Sequence, residues 1–218
     1  MELSQVPLRE LKKAKTKIAL YEAALSLIGD RMFREVMLED ICRKAEVSKV
    51  TFFNLFRKKE DLLLYYMRVW LSERIIEIEE HGLKGFDAVR HVCHSVAKEA
   101  RDRAGIMPSL IAFLAEMKMH PCMPEMTQAE VLLLFPGHEK VGGESPDMFA
   151  LFQRCMEEAA ESGHLKPGIS VPDAVQFLFT VFYGAFLTAQ LYASDRIAAF
   201  YDTQLGLIEN RNGGGRTP

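Results

Sequence analysis

Between Leu38 and Phe56 the sequence spells out two very short amphipathic helices with three residues between them. Leu38, Ile41, Cys42 and Ala45 fall on one face of the first, with Glu39, Arg43 and Lys44 opposite. Phe52, Leu55 and Phe56 stand at i, i+3 and i+4 of the second. The break, Glu46-Val47-Ser48, ends in a serine that can accept from the free N–H groups opening the next helix. Helices of two turns need a partner for their apolar faces, so this pair commits the region to a small helical domain. The core leaves Val50, Thr51 and Asn54, flanked by Lys49 and Phe53, as the outward face of the second helix. Small and polar groups on a short helix suit entry into a groove, although two packed helices with a solvated basic end, Arg57-Lys58-Lys59, would read the same way.

A third helix precedes the pair. Leu20, Ala23, Ala24, Leu27 and Ile28 keep the i, i+3, i+4, i+7, i+8 spacing of one buried stripe. Residues 1–15 are polar and basic and read as a mobile arm leading into it. After the pair, Glu60-Asp61 open a long helix to about Glu80, with acids at the end the helix dipole favours. Further helices are predicted over 86–103, 107–118, 124–135, 146–162, 171–192 and 194–209, separated by glycine and proline breaks such as the Pro136–Pro146 loop. No stretch alternates apolar and polar residues as a strand would. The tail, 211–218, offers nothing for a core and is expected to be disordered.

Charge is divided unevenly. Residues 1–66 carry thirteen basic against ten acidic side chains, leaving fourteen against twenty for the remainder, a sign asymmetry that points to an N-terminus facing an anionic partner. The most apolar stretch, Val175–Tyr192, is interrupted by Gln176, Thr180, Thr188 and Gln190 and reads as a buried helix rather than a membrane span. Four scattered cysteines with no CxxC pair, and a charged N-terminus, are those of a reduced, cytoplasmic chain.

Segment 16–62, ending in AEVSKVTFFNLFRKKEDL, resembles the tetracycline-repressor (TetR) family of transcriptional regulators. The matches are Glu22-Ala23-Ala24, Phe33, Asp40-Ile41, Ala45, Val47-Ser48-Lys49, Thr51, Phe52-Phe53, Phe56, Lys59-Glu60 and Leu62. The resemblance implies an all-α fold of nine or ten helices. It would comprise an N-terminal three-helix helix-turn-helix domain over 1–62 and a C-terminal helical ligand-binding and dimerisation domain over 63–210. It implies a homodimer on double-stranded DNA, with no cofactor. The DNA-binding set is then Thr16, Lys17, Ser48, Lys49, Val50, Thr51, Phe53, Asn54 and Lys59. Lys49, Thr51 and Asn54 would contact phosphate and base edges, Val50 a thymine methyl, and Thr16 or Lys17 with Lys59 the flanking phosphates. The chain departs from the family pattern at Met32, Glu46 and Val50, where glycine is usual, at Phe53, where tyrosine is, and at Met37, where a threonine or serine often caps the second helix.

For the body, the resemblance places a four-helix dimer interface on 146–162 and 171–192, with Phe177, Val181, Gly184, Ala185 and Leu187 as contacts; a monomer's central core helix would have the same composition. An effector would lie among Met67, Trp70, Phe113, Met117, Phe149 and Phe152, with Arg74 or Tyr183 as polar handles, and the Met and Phe content suits an apolar or aromatic molecule. The expected function is a repressor released by that molecule, the alternative a regulator with no small-molecule effector. His91, Cys93 and His94 with His120 and Cys122 invite a metal reading, but their spacing matches no finger or ribbon. No GxSxG, HExxH, phosphate loop or dinucleotide fingerprint is present, so no enzyme is expected.

Overall fold

The computed structural model describes residues 3–117, 122–192 and 194–211. They form an all-α structure: eleven α-helices among the described residues, with no strand beyond an isolated bridge between Leu165 and Glu209. The helices are α1 (Leu8–Ile28), α2 (Leu38–Lys44), α3 (Lys49–Leu55), α4 (Asp61–Glu80), α5 (Gly85–Asp102), α6 (Ile106–Met117), α7 (Gln128–Leu134), α8 (Glu139–Gly143), α9 (Met148–Glu161), α10 (Val171–Tyr192) and α11 (Ile197–Ile208). The count exceeds the expected nine or ten because the Pro136–Pro146 loop holds α8, a single turn too short for periodicity to register.

The chain divides into two compact units that interleave rather than follow one another. One comprises Met1–Ile76 with Asp102–Pro146, the other Glu77–Arg101 with Asp147–Pro218.

In the first unit, Leu20, Ala23, Ala24 and Ile28 of α1 are buried with Ile41 and Cys42 of α2 and Phe52 of α3. The expected mobile arm is corrected over most of its length, because α1 begins at Leu8 and its first turns are held. Val6 and Ala14, with Leu11, pack on Ala129, Leu132 and Leu133 of α7. α7 starts at Gln128, later than the predicted 124, because Thr127 caps it: its hydroxyl accepts from the Glu130 amide, and the Glu130 carboxylate accepts the Thr127 amide in return. Gly105 brings the start of α6 against the turn after α1, its N–H donating to the Gly29 carbonyl at 2.9 Å. Nearby, the Ser109 hydroxyl accepts from the Phe33 amide at 2.8 Å.

The second unit packs α10 against α9 and α11. Tyr201 is fully buried and donates to the Phe182 carbonyl at 2.8 Å. Arg90 of α5 spans to α11, its guanidinium meeting Asp202 at 3.3 Å and Glu209 at 2.9 Å. α10 is long and apolar enough to cross a membrane by length and composition, a test that core helices of soluble proteins also pass. The tail expected to be disordered lies, from residue 212 onward, outside the described residues.

Candidate nucleic-acid interface

α3 is held at both ends and along its inner face. Ser48 Oγ accepts from the Thr51 amide at 3.1 Å, capping the helix. Phe52 is fully buried and stacks on Phe56 with ring centroids 5.5 Å apart, and Phe56 meets Tyr65 of α4 edge-on at 5.9 Å. This aromatic wedge fixes the rotation of α3, so the opposite face must point to solvent. That face carries Val50 and Phe53, 71% and 55% exposed, with Lys49 and Asn54 exposed beside them and Thr51 half-buried.

The turn into α3 has a strained residue. Glu46 has φ +56, the left-handed region, and the Val47 amide returns to the Cys42 carbonyl at 2.9 Å. The family's usual glycine there therefore has a physical reason. Met32 needs none, with φ −67. Met37 precedes α2 with no side-chain cap, as its thioether dictates.

Exposed Arg43 and Lys44 at the end of α2, Lys49, and Arg57 and Lys58 after α3 surround this face with positive charge. Lys49 is paired with Glu39, whose carboxyl is held below its ordinary value chiefly by that hydrogen bond. Both side chains are half exposed, so a phosphate can replace the carboxylate readily. The arrangement presents a short helix with apolar and amide groups at its front and cations around it, the combination that reads base edges and holds phosphates.

Residues 20–66 match the family model of bacterial regulatory proteins, tetR family. The segment is a TetR-family DNA-binding domain. The solved structures similar to the whole chain agree with this in fold. A TetR family transcription regulator from Marinobacter aquaeolei VT8 is 18% identical, with a TM-score of 0.55 over 94% of this chain and all of that one. E. coli NemR in its reduced form is 18% identical, with a TM-score of 0.59 over 89% of this chain and 98% of that one. Thermus thermophilus FadR, a TetR-family repressor in complex with lauroyl-CoA, is 22% identical, with a TM-score of 0.53 over 88% of this chain and 92% of that one. No curated protein sequence matches the chain.

Besides Ser48, Thr51 and Lys49, three more of the nine expected DNA-binding residues in this TetR-family domain have intramolecular partners. Lys17 is mostly buried, pairs with Glu130 of α7 at 2.7 Å and lies over the Tyr65 ring at 4.6 Å. Lys59 donates to the carbonyls of Phe33, Arg34 and Val36 at 3.1, 3.3 and 2.9 Å, which occupies all three of its N–H groups. Thr16 turns its hydroxyl onto the Lys12 carbonyl at 2.9 Å. Sequence pattern placed these side chains near the DNA side but gave no sign of their partners, which lie 23 to 113 residues away for the two lysines.

The effector residues expected from the sequence are divided between the two units. Met67, Trp70, Arg74, Phe113 and Met117 belong to the first unit, and Phe149, Phe152 and Tyr183 to the second. Phe149 is more than half exposed and stacks on Phe179, whereas Phe152 is fully buried between Phe179 and Phe182. Of the dimer residues, Val181 and Ala185 are buried within their own unit, while Leu187 is exposed and Phe177 and Gly184 are half-buried. His91 and His94 meet Glu77 and Asp202 at 2.6 and 2.9 Å, and burial pushes the Cys93 thiol up to about 12. His120 lies outside the described residues, among which no group of three potential ligands is poised for a metal.

The residue that sequence reasoning missed is Arg68. It is 1% exposed on α4, between Tyr65 and Ser72 on one face. No motif marks a buried arginine on a helix whose pattern is apolar nearly all round.

Proposed function

We propose that this chain is a cytoplasmic, homodimeric repressor that reads a two-fold operator through α3 and is released from it by a small, largely apolar or aromatic effector. The observation that carries the reading is the capped and wedged α3, whose Lys49, Val50, Phe53 and Asn54 stand exposed within a ring of unburied cations. Asn54 is suited to a paired hydrogen bond with adenine, Val50 to a thymine methyl, and Lys49 to a phosphate. Phe53 lacks the hydroxyl that a tyrosine would offer a phosphate, and its exposed ring serves instead as an apolar contact.

Dimerisation is supported by the outward face of α10. Phe177, Thr180, Gly184, Leu187 and Leu191 alternate spacings of three and four, the period of a helix–helix seam, and Leu191 is 74% exposed. Gly184 has open space where a side chain would stand, so a second helix can approach closely there. Paired readers about one turn of DNA apart would then match a two-fold operator. Release follows by linkage: an effector that prefers one conformation of the body moves α4 and so the spacing of the two α3 helices. The lauroyl-CoA complex of the similar Thermus FadR supports an effector of amphipathic character.

The test is the stoichiometry of the DNA complex, read by analytical ultracentrifugation with a labelled duplex from the chain's own upstream region. Two chains per operator are expected, and a single chain bound at full affinity would contradict the dimer reading.

A further inference from the structure

Arg68 holds a positive charge inside the first unit with no carboxylate to meet it. Its Nη1 donates to Ser72 Oγ, which is itself buried, and its Nη2 donates to the Gly142 carbonyl at 2.8 Å. Its Nε has no partner. The acid whose charge acts on it is Glu130, whose two oxygens are already taken. Oε1 receives Lys17 and the Tyr65 hydroxyl, each at 2.7 Å, and Oε2 receives the Thr127 amide and hydroxyl at 3.0 and 2.8 Å. With Lys17 and Arg68 against Glu130 alone, the cluster keeps one uncompensated positive charge. Proteins seldom leave such a charge buried unless something else answers it.

The geometry says what would answer it. The Nε–Nη2 edge of a guanidinium is the one that grips a carboxylate with two parallel hydrogen bonds. Here that edge carries one neutral carbonyl on Nη2 and nothing on Nε. The carbonyl belongs to the last turn of α8, a five-residue helix ending Gly142-Gly143. Against the same turn lies a cavity of about 270 Å³ between α7 and α8, lined by Met126, Gln128, Val131, Leu132, Glu139 and Gly143. Met126, Val131 and Leu132 give it an apolar side and Gln128 with exposed Glu139 a polar one; Arg68 is not on its wall, and Gly142, whose carbonyl it holds, is the chain neighbour of the lining residue Gly143.

We infer that the α7–α8 cavity takes a small molecule with an apolar body and a carboxylate-like anionic head, which displaces the Gly142 carbonyl and binds the Nε–Nη2 edge of Arg68. This rests on the effector-controlled reading above and gives that effector a charge and a place. It also gives a route to the DNA-reading domain. Leu132 lines the cavity and is packed in the cluster that joins α7 to Val6 and Ala14 at the start of the chain, while Lys17 of α1 is paired to Glu130 of α7. A ligand that repositions α7 therefore acts on α1 directly.

The experiment reads the thermal midpoint and Kd of the full chain with benzoate, octanoate and dodecanoate, each beside its primary amide, and with inorganic phosphate alone. Wild type, Arg68→Met and Arg68→Lys are compared, and operator binding is read on the same samples. At least one acid is expected to bind wild type tenfold or more tightly than its amide, with that preference lost in Arg68→Met and largely kept in Arg68→Lys. Acid and amide binding alike, or a preference that survives Arg68→Met, overturns the inference. Phosphate matching the best acid overturns the apolar body. The acid-against-amide comparison on wild type decides the matter even where Arg68→Met does not fold. Intact operator binding with no acid preference sinks this inference alone, whereas an acid preference without operator binding sinks the repressor reading and leaves the site.

Discussion

Lys17 of α1 and Glu130 of α7 form a 2.7 Å ion pair in which the carboxylate is 2% exposed. Burial alone would raise the Glu130 pKa. The hydrogen bond and charge of Lys17, with the Thr127 and Tyr65 hydrogen bonds, outweigh it, and the carboxyl sits below its ordinary value of 4.5. A group with a depressed folded pKa contributes stability above its unfolded pKa and loses it as pH falls through the folded one. Replacing Glu130 by Ala strands a buried ammonium and a buried phenol and is expected to cost about 3–5 kcal/mol at pH 7. Glu130→Gln should cost less. Its deficit against wild type, measured by urea unfolding, should shrink as pH drops below about 4.5, where wild type loses the same charge. A deficit that stays constant from pH 7 to pH 3 would remove Glu130 as the titrating group.

Glu46 sits in the left-handed region at φ +56 and is exposed. A non-glycine residue there is strained by about 1–2 kcal/mol, part of which glycine gives back through its freer unfolded chain. Glu46→Gly should raise stability by about 0.5–1 kcal/mol. The check is the midpoint of thermal unfolding, which should move up by a few degrees; a fall would show that the Glu46 side chain makes a contribution of its own.

A Cβ added at Gly105 would stand 1.9 Å from the Arg31 carbonyl oxygen and 2.7 Å from its carbon. Neither is the end of a flexible side chain, so the backbone has to move. Gly105→Ala should destabilise the chain by about 1–3 kcal/mol. It should also disturb the neighbouring Ser109–Phe33 hydrogen bond. Slower amide exchange at Phe33 in the variant than in wild type would count against this packing.

These cases show what the sequence makes legible. The helix pair, its Ser48 cap and the burial of Phe52 and Phe56 follow from spacing within about ten residues, where side-chain periodicity and cap chemistry act. The left-handed turn at Glu46 was signalled only by the residue that stands where glycine is usual. Lys17, Lys59 and Arg68 were not legible, because what they do depends on carbonyls and carboxylates brought in from distant segments. Val181 and Ala185 are buried within their own unit, which the sequence left open, since a helix apolar all round does not say which of its faces its own unit covers.

The seam on α10 yields a further prediction. Leu187→Glu with Leu191→Glu places two charges on a face that its own unit leaves exposed, so the chain should fold normally. In a dimer the same charges are buried against a second copy. Light scattering should report a monomer for the variant and a dimer for wild type, with operator affinity lowered at least tenfold. A variant that remains dimeric would move the interface elsewhere.

The central claim is that α3 reads DNA through Lys49 and Asn54. The direct measurement is a mobility shift of the chain's own upstream region at two salt concentrations, with the Lys49→Ala, Asn54→Ala double variant beside wild type. Each base contact contributes about 1–3 kcal/mol of discrimination, and phosphate contacts make binding fall steeply with salt. The account predicts specific, salt-sensitive binding by wild type and its loss in a variant that keeps its fold and oligomeric state. Binding undiminished in the double variant would contradict it.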